Sequence, residues 1–198
     1  MRAERRKPTR HRDSGAVAVE AGVVSMLLVV LLFGVIETSY LFKNWLSVSA
    51  AARAGARMAA SQPKVASLAG SPDFAQLSAN QVTNAITGLV PANIEAVWVY
   101  KASPTTGLPD SGSFANCSVC VKFAWNAGTS SLTPLIGQSS SWAASTQNAC
   151  SSNIPTRDTL GVYVRYKNSS PLGFFFKETR VNESTVMWLE PSFSATGC

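Results

Sequence analysis

Histidine is almost missing from this chain. The one copy in 198 residues is His11, inside a basic head. The body therefore offers no Ser-His or Cys-His pair, and ordinary nucleophile–base chemistry is excluded from it. A glycine loop of the phosphate-cradling type is absent too. Acids are sparse: Asp73, Glu95, Asp110, Asp158, Glu178, Glu183 and Glu190 stand singly, near turns or strand ends, and read as solvated rather than paired. A basic stripe or base-reading motif is lacking from the body, which excludes nucleic acid as a partner. Cysteine is limited to four copies, Cys117, Cys120, Cys150 and Cys198. A four-cysteine zinc site needs paired C-x-x-C knuckles, whereas Cys150 and Cys198 lie 48 residues apart. A redox C-x-x-C opens a helix; here CSVC runs into VKFAW, which alternates like a strand. These absences predict no enzyme, no catalytic residue, no metal, no cofactor and no small-molecule substrate.

What the chain has is an uneven charge and a long apolar run. The net charge is +6. Residues 1–15 carry Arg2, Arg5, Arg6, Lys7, Arg10 and Arg12 against Glu4 and Asp13, a net +4, leaving +2 for the remainder. A basic head before an apolar run reads as a cytoplasmic flank. Between Ala16 and Ile36, Glu20 is the single charged residue. As a helix that run rises about 30 Å, one hydrocarbon thickness. A secretory signal is the competing reading, with a small-residue cleavage pattern in SAAARAGA, Ser49 to Ala56. The helical pattern continues past Glu37, however: Thr38 to Gln62 has no proline and is dense in alanine, and Pro63 is the first clear stop. One helix from Ala16 to Ser61 would measure about 69 Å. Arg53 and Arg57 share a face on it. Ala50, Ala51, Ala54, Gly55 and Ala59 would let another helix approach closely, as in a stack of similar stems. Glu37, one residue past the run, reads first as a marker of the lipid–water interface and second as a packing contact.

The body predicts a small α+β domain. Ser71 to Val90 reads as a helix with Ser71 as N-cap, Pro72 at the first position and Asp73 in the first turn. Ala75, Ala79, Val82, Ile86 and Leu89 form its apolar face. Four strands follow. In the first, Ala96, Trp98 and Tyr100 alternate with Val97 and Val99; in the second, Cys117, Val119, Val121, Phe123 and Trp125 share one parity. Leu160 to Lys167 and Thr185 to Leu189 complete an antiparallel sheet, packed on the stem or the second helix. The Ser-rich stretch 126–158 is expected to hold short helical pieces or a disordered flap. Most aromatics read as core; Phe174 to Phe176 read first as core filling, with an exposed contact patch as the alternative. With the head inside, the cysteines lie outside the membrane, where disulfides persist. On a strand Cys117 and Cys120 would point to opposite faces. Each is therefore expected to pair with Cys150 or Cys198, in an order left open.

Gly15 followed by an acid at the fifth position, Glu20, behind a basic leader resembles a class III prepilin processing site. More narrowly, AVE (Ala18 to Glu20), LLFGVIE (Leu31 to Glu37) and AARAGARMAA (Ala51 to Ala60) resemble the TadE family, the minor pseudopilins of tight-adherence (Flp) type IV pili. LGVYVRYK (Leu160 to Lys167) and STVMWLEP (Ser184 to Pro191) look like the closing strands of larger TadE-like ectodomains. Two positions depart from the family pattern: Ala21 replaces an aromatic, and Ala54 replaces an acid.

The resemblance implies cleavage between Gly15 and Ala16 by a prepilin peptidase, and pairing of Glu20 with the N-terminal amine of a neighbouring subunit. It implies prepilin peptidase, other pilins and the pilus assembly platform as partners, besides membrane lipid. Glu37, Arg53, Gly55 and Arg57 become candidate helix-packing residues. The expected organisation is a cytoplasmic leader (1–15), a transmembrane helix (16–37), a helical stem extension (38–62) and an extracytoplasmic α+β domain (63–198). The expected location is the cytoplasmic membrane, single-pass with the N-terminus inside, with incorporation into an extracellular pilus a further option. The alternative is an uncleaved, single-pass surface or secretion-associated protein.

Overall fold

The computed structural model describes residues 14–63, 73–115, 117–135, 142, 146–149, 156–170, 172–175 and 177–191. Helix α1 spans Ser14–Ser61 without interruption. Helix α2 covers Phe74–Ala85, and a single 3-10 turn, Pro91–Asn93, leads into the sheet. The strands are β1 (Ile94–Ala102), β2 (Cys120–Asn126), β3 (Ser131–Pro134), β4 (Thr159–Ser169) and β5 (Glu178–Trp188). They form one sheet in the order β3-β2-β1-β4-β5, antiparallel throughout. The expected class, a long apolar N-terminal helix, a second helix and an antiparallel sheet, is the one found.

Several local expectations are corrected. Helix α2 starts at Phe74, capped by Asp73, whose carboxylate accepts from the Gln76 N–H at 2.8 Å; it ends at Ala85 rather than near Val90. Ser71 and Pro72 lie outside the described residues. The sheet has a fifth strand, β3, where a flap or helical pieces were expected. It pairs with β2 through Trp125↔Leu132 and Asn126↔Ser131. The last strand begins at Glu178, seven residues before Thr185; its first half carries a single apolar residue, Val181, and so lacks the apolar alternation that marks the rest.

The sheet buries one face against both helices. Val97 and Val99 of β1, Phe123 of β2, and Leu160, Val162 and Val164 of β4 meet Val48, Ala51, Ala52 and Ala59 of α1 and Phe74, Ala79 and Val82 of α2. Ala51, Ala52, Gly55 and Ala59 of α1 are buried in this internal contact, whereas Ala50 is exposed and Ala54 half-buried. At Gly55 a Cβ would lie 2.5 Å from Val82 Cγ2, and the Ser78 hydroxyl donates to the Gly55 carbonyl at 3.0 Å. The SAAARAGA stretch is therefore mid-helix, with Ser49, Ala51, Ala52, Gly55 and Ala56 buried. A signal-type cut there would divide the helix that carries the core.

The opposite face of the sheet holds a second, aromatic cluster. The ring of Phe114 meets Trp98 and Tyr100 at 5.2 Å and Tyr163 at 4.4 Å. Lys122 Nζ lies 4.3 Å from the Trp98 ring centroid, a cation–π contact. Beside them Cys117 and Cys120 form a disulfide with Cα atoms 6.0 Å apart. This overturns the expected pairing with Cys150 or Cys198, which lie outside the described residues. The physical reason is local: β2 begins at Cys120, and a bend at Ser118 and Val119 frees Cys117 from strand alternation.

Tyr100 is fully buried here and donates its hydroxyl to the Gly107 carbonyl at 2.9 Å. Burial pushes its pKa up to about 12. Above an unfolded value near 10, the unfolded chain gives up this proton first, so stability falls as pH climbs from about 10 to about 12. One such group limits the slope to about 1.4 kcal/mol per pH unit. Urea unfolding across that window is expected to show this loss in the parent and a shallower one in Tyr100→Phe; identical slopes would refute it.

Candidate functional site

The first 22 residues of the described stem have no fold partner except at their end. Gly15, Ala16 and Glu20 are exposed, as is every described side chain from residue 15 to Leu32. Glu20 makes no ion pair among the described residues. The hydroxyls in and just beyond this run bond back to their own helix: Ser25 to the Ala21 carbonyl at 2.6 Å, Thr38 to Gly34 at 2.8 Å and Ser39 to Val35 at 2.7 Å. That satisfies polar groups without water, as a lipid-facing surface requires. Among the described residues this is the one helix long and apolar enough to cross a membrane.

At the end of the apolar run the body returns to the stem. The loop between β4 and β5 reaches down to α1, and Glu37 holds it. The Phe174 N–H donates to Glu37 Oε1 at 2.7 Å and the Phe175 N–H to Oε2 at 2.9 Å. Gly173, at φ 64, turns the chain so that these successive amides converge. Glu37 is only 2% exposed, so it is not a simple interface marker. The Phe174 ring stacks on Phe33 with centroids 5.6 Å apart. Phe174 and Phe175 nevertheless remain 71% and 52% exposed, which corrects the expectation that they fill the core; Phe176 lies outside the described residues.

Further ties run up the seam. Asn44 Nδ2 donates to Asn168 Oδ1, and Trp45 Nε1–H donates to Glu183 Oε1. Asn168 Nδ2 in turn donates to Thr179 Oγ1 at 3.2 Å, joining β4 to β5. At the top the Glu190 N–H donates to the Ala60 carbonyl at 2.9 Å. Of the candidate packing residues, Gly55 lies against α2, whereas Arg53 and Arg57 are exposed together on the opposite face of α1.

The scattered acids are mostly partnered, against expectation. Glu95 takes the Arg180 Nε at 3.0 Å, a contact that raises the Arg180 pKa. Glu178 meets Lys167 at 2.9 Å, and the buried Asp158 meets Lys101 at 2.8 Å while accepting the Asn148 N–H at 2.9 Å. Sequence separation hid these pairs, since cross-strand neighbours are distant along the chain. Among the described residues no three His, Cys, Asp or Glu side chains gather where they could hold a metal ion.

The seam and the bare stem can therefore bind and position, with apolar surface, one buried carboxylate and one exposed one. No curated protein and no solved structure matches the chain. One family model does, that of TadE-like protein, over residues 15–57. That span covers the bare half of α1 and most of its buried half, so residues 15–57 are similar to the TadE-like family, a similarity that suggests a protein associated with a tight-adherence pilus.

Proposed function

We propose that this chain is a pseudopilin of a tight-adherence pilus, made as a membrane precursor and trimmed after Gly15. The observation that carries the proposal is the bare apolar run of α1, which is exposed from residue 15 to Leu32 and still contains Glu20. Such a surface is stable only in lipid or among similar stems. Cleavage between Gly15 and Ala16 frees an α-amine, with a reference pKa of about 7.7–8.0 and so largely cationic. It lies one helical turn from Glu20. An anion near the bilayer is costly unless a cation meets it. A neighbouring subunit's amine supplies that cation, and the pair sets the register between stems much as one buried polar residue does in a coiled coil. The partners on this reading are a prepilin peptidase, other pilins and the assembly platform. On this reading the head of the precursor lies on the cytoplasmic side of the membrane and the sheet domain on the other.

Intact-mass analysis of the protein extracted from membranes tests this. The mature chain is expected to begin at Ala16, and Gly15→Ala to retain the leader. Glu20→Ala is expected to be trimmed but to lose piliation. A mature chain that keeps its arginine cluster would favour an uncleaved single-pass anchor and overturn the pseudopilin reading.

A further inference from the structure

We infer that the β4–β5 loop is a second membrane contact, inserting Leu172, Phe174 and Phe175 into the outer leaflet beside the stem. The inference rests on the proposal that the apolar half of α1 lies in a bilayer. The rings of Phe174 and Phe175 lie against Phe33 and Gly34, inside the run that ends at Ile36. At the helical rise, Phe33 is about 4.5 Å below that end. If lipid surrounds Leu31, Leu32 and Val35, which are exposed, it also meets the loop packed beside them. The exposed apolar surface is continuous: Val30, Leu31 and Val35 of the stem and Phe175 of the loop line one open groove.

The occupant is lipid because depth and chemistry agree. Phe and Leu side chains on a membrane-surface segment bury about 5–10 Å into the boundary between headgroups and acyl chains. Leu172, Phe174 and Phe175 have no covering core, although each is large and apolar. The carboxylate just above them is kept from the apolar phase by the Phe174 and Phe175 amides. Glu37 thus does two things at once: it fixes the loop and satisfies backbone groups that water would not reach.

Photocrosslinking tests this in the full-length chain, reconstituted in vesicles of phosphatidylethanolamine and phosphatidylglycerol. p-Benzoylphenylalanine is placed at Phe174, at Leu28 within the apolar run, or at Thr105, an exposed residue at the opposite end of the sheet. The expected result is a mass gain of one phospholipid at Phe174 and Leu28, and none at Thr105. Lipid adducts at Leu28 but not at Phe174 would overturn this inference alone. A crosslinked dimer through Phe174 would also overturn it, showing a second copy over the loop. Absence of lipid adducts at Leu28 would overturn the membrane-embedded stem, and this inference with it.

Discussion

Gly161→Ala is expected to cost about 3 kcal/mol or more, the upper range for overpacking a core. Gly161 lies directly across from Tyr100 in the β1–β4 ladder. A Cβ there would lie 2.1 Å from Tyr100 Cζ and 2.5 Å from its Oη. The ring has nowhere to go: it is fully buried, its hydroxyl is committed to the Gly107 carbonyl, and the edge-on ring of Phe114 closes one side. Domains of this kind hold about 5–15 kcal/mol in total, so one methyl group would remove a large share. Chemical unfolding followed by near-ultraviolet circular dichroism, which reports the aromatic cluster, measures the loss. Tyr100→Leu removes the colliding atoms. The double variant is expected to be less destabilised than the sum of the singles, a coupling of roughly 1–3 kcal/mol. A Gly161→Ala protein within about 0.5 kcal/mol of the parent would show that the ring has room the structure denies it.

Glu37→Ala is expected to release the β4–β5 loop. The variant strips both side-chain acceptor oxygens from two peptide N–H groups, each such bond being worth about 1 kcal/mol or more. The body keeps its core, so the loss should appear as local opening rather than global unfolding. Hydrogen exchange at Phe174 and Phe175 should rise about 100-fold for every 2.7 kcal/mol lost. Glu37→Gln keeps one acceptor oxygen and should fall between. Unchanged exchange in Glu37→Ala would mean that stacking on Phe33 holds the loop unaided.

Neither residue announced its role in the sequence. The stem was legible because its signals are local: an unbroken apolar run, dense alanine, and Pro63 as a stop. The small face of α1 was legible as a pattern, but not its partner, since Ala51 and Gly55 suit any close helix and happen to meet α2. Strand parity separated the two faces of β1, β2 and β4 but did not say which one packs on the helices. It failed at Cys117, where one bend before β2 resets the alternation. Strand β3 was missed because SLTP is short and has loop composition; its hairpin is fixed instead by Asn126, whose side-chain oxygen accepts the Gly128 N–H at 2.9 Å. Glu37 was read as a boundary because its partners lie 137 and 138 residues further on, and no periodicity reports a contact of that span.

The ties at Glu37, Asn44, Trp45 and Ala60 occupy about 35 Å of one uninterrupted helix at the standard rise. The helix runs unbroken from its bare half into this fastened half. Any roll or lean of the lipid-length portion must therefore carry the sheet with it through the same angle. Which side of the body faces outward is then decided by which side of the rod its surroundings prefer, and a torque applied below is felt above.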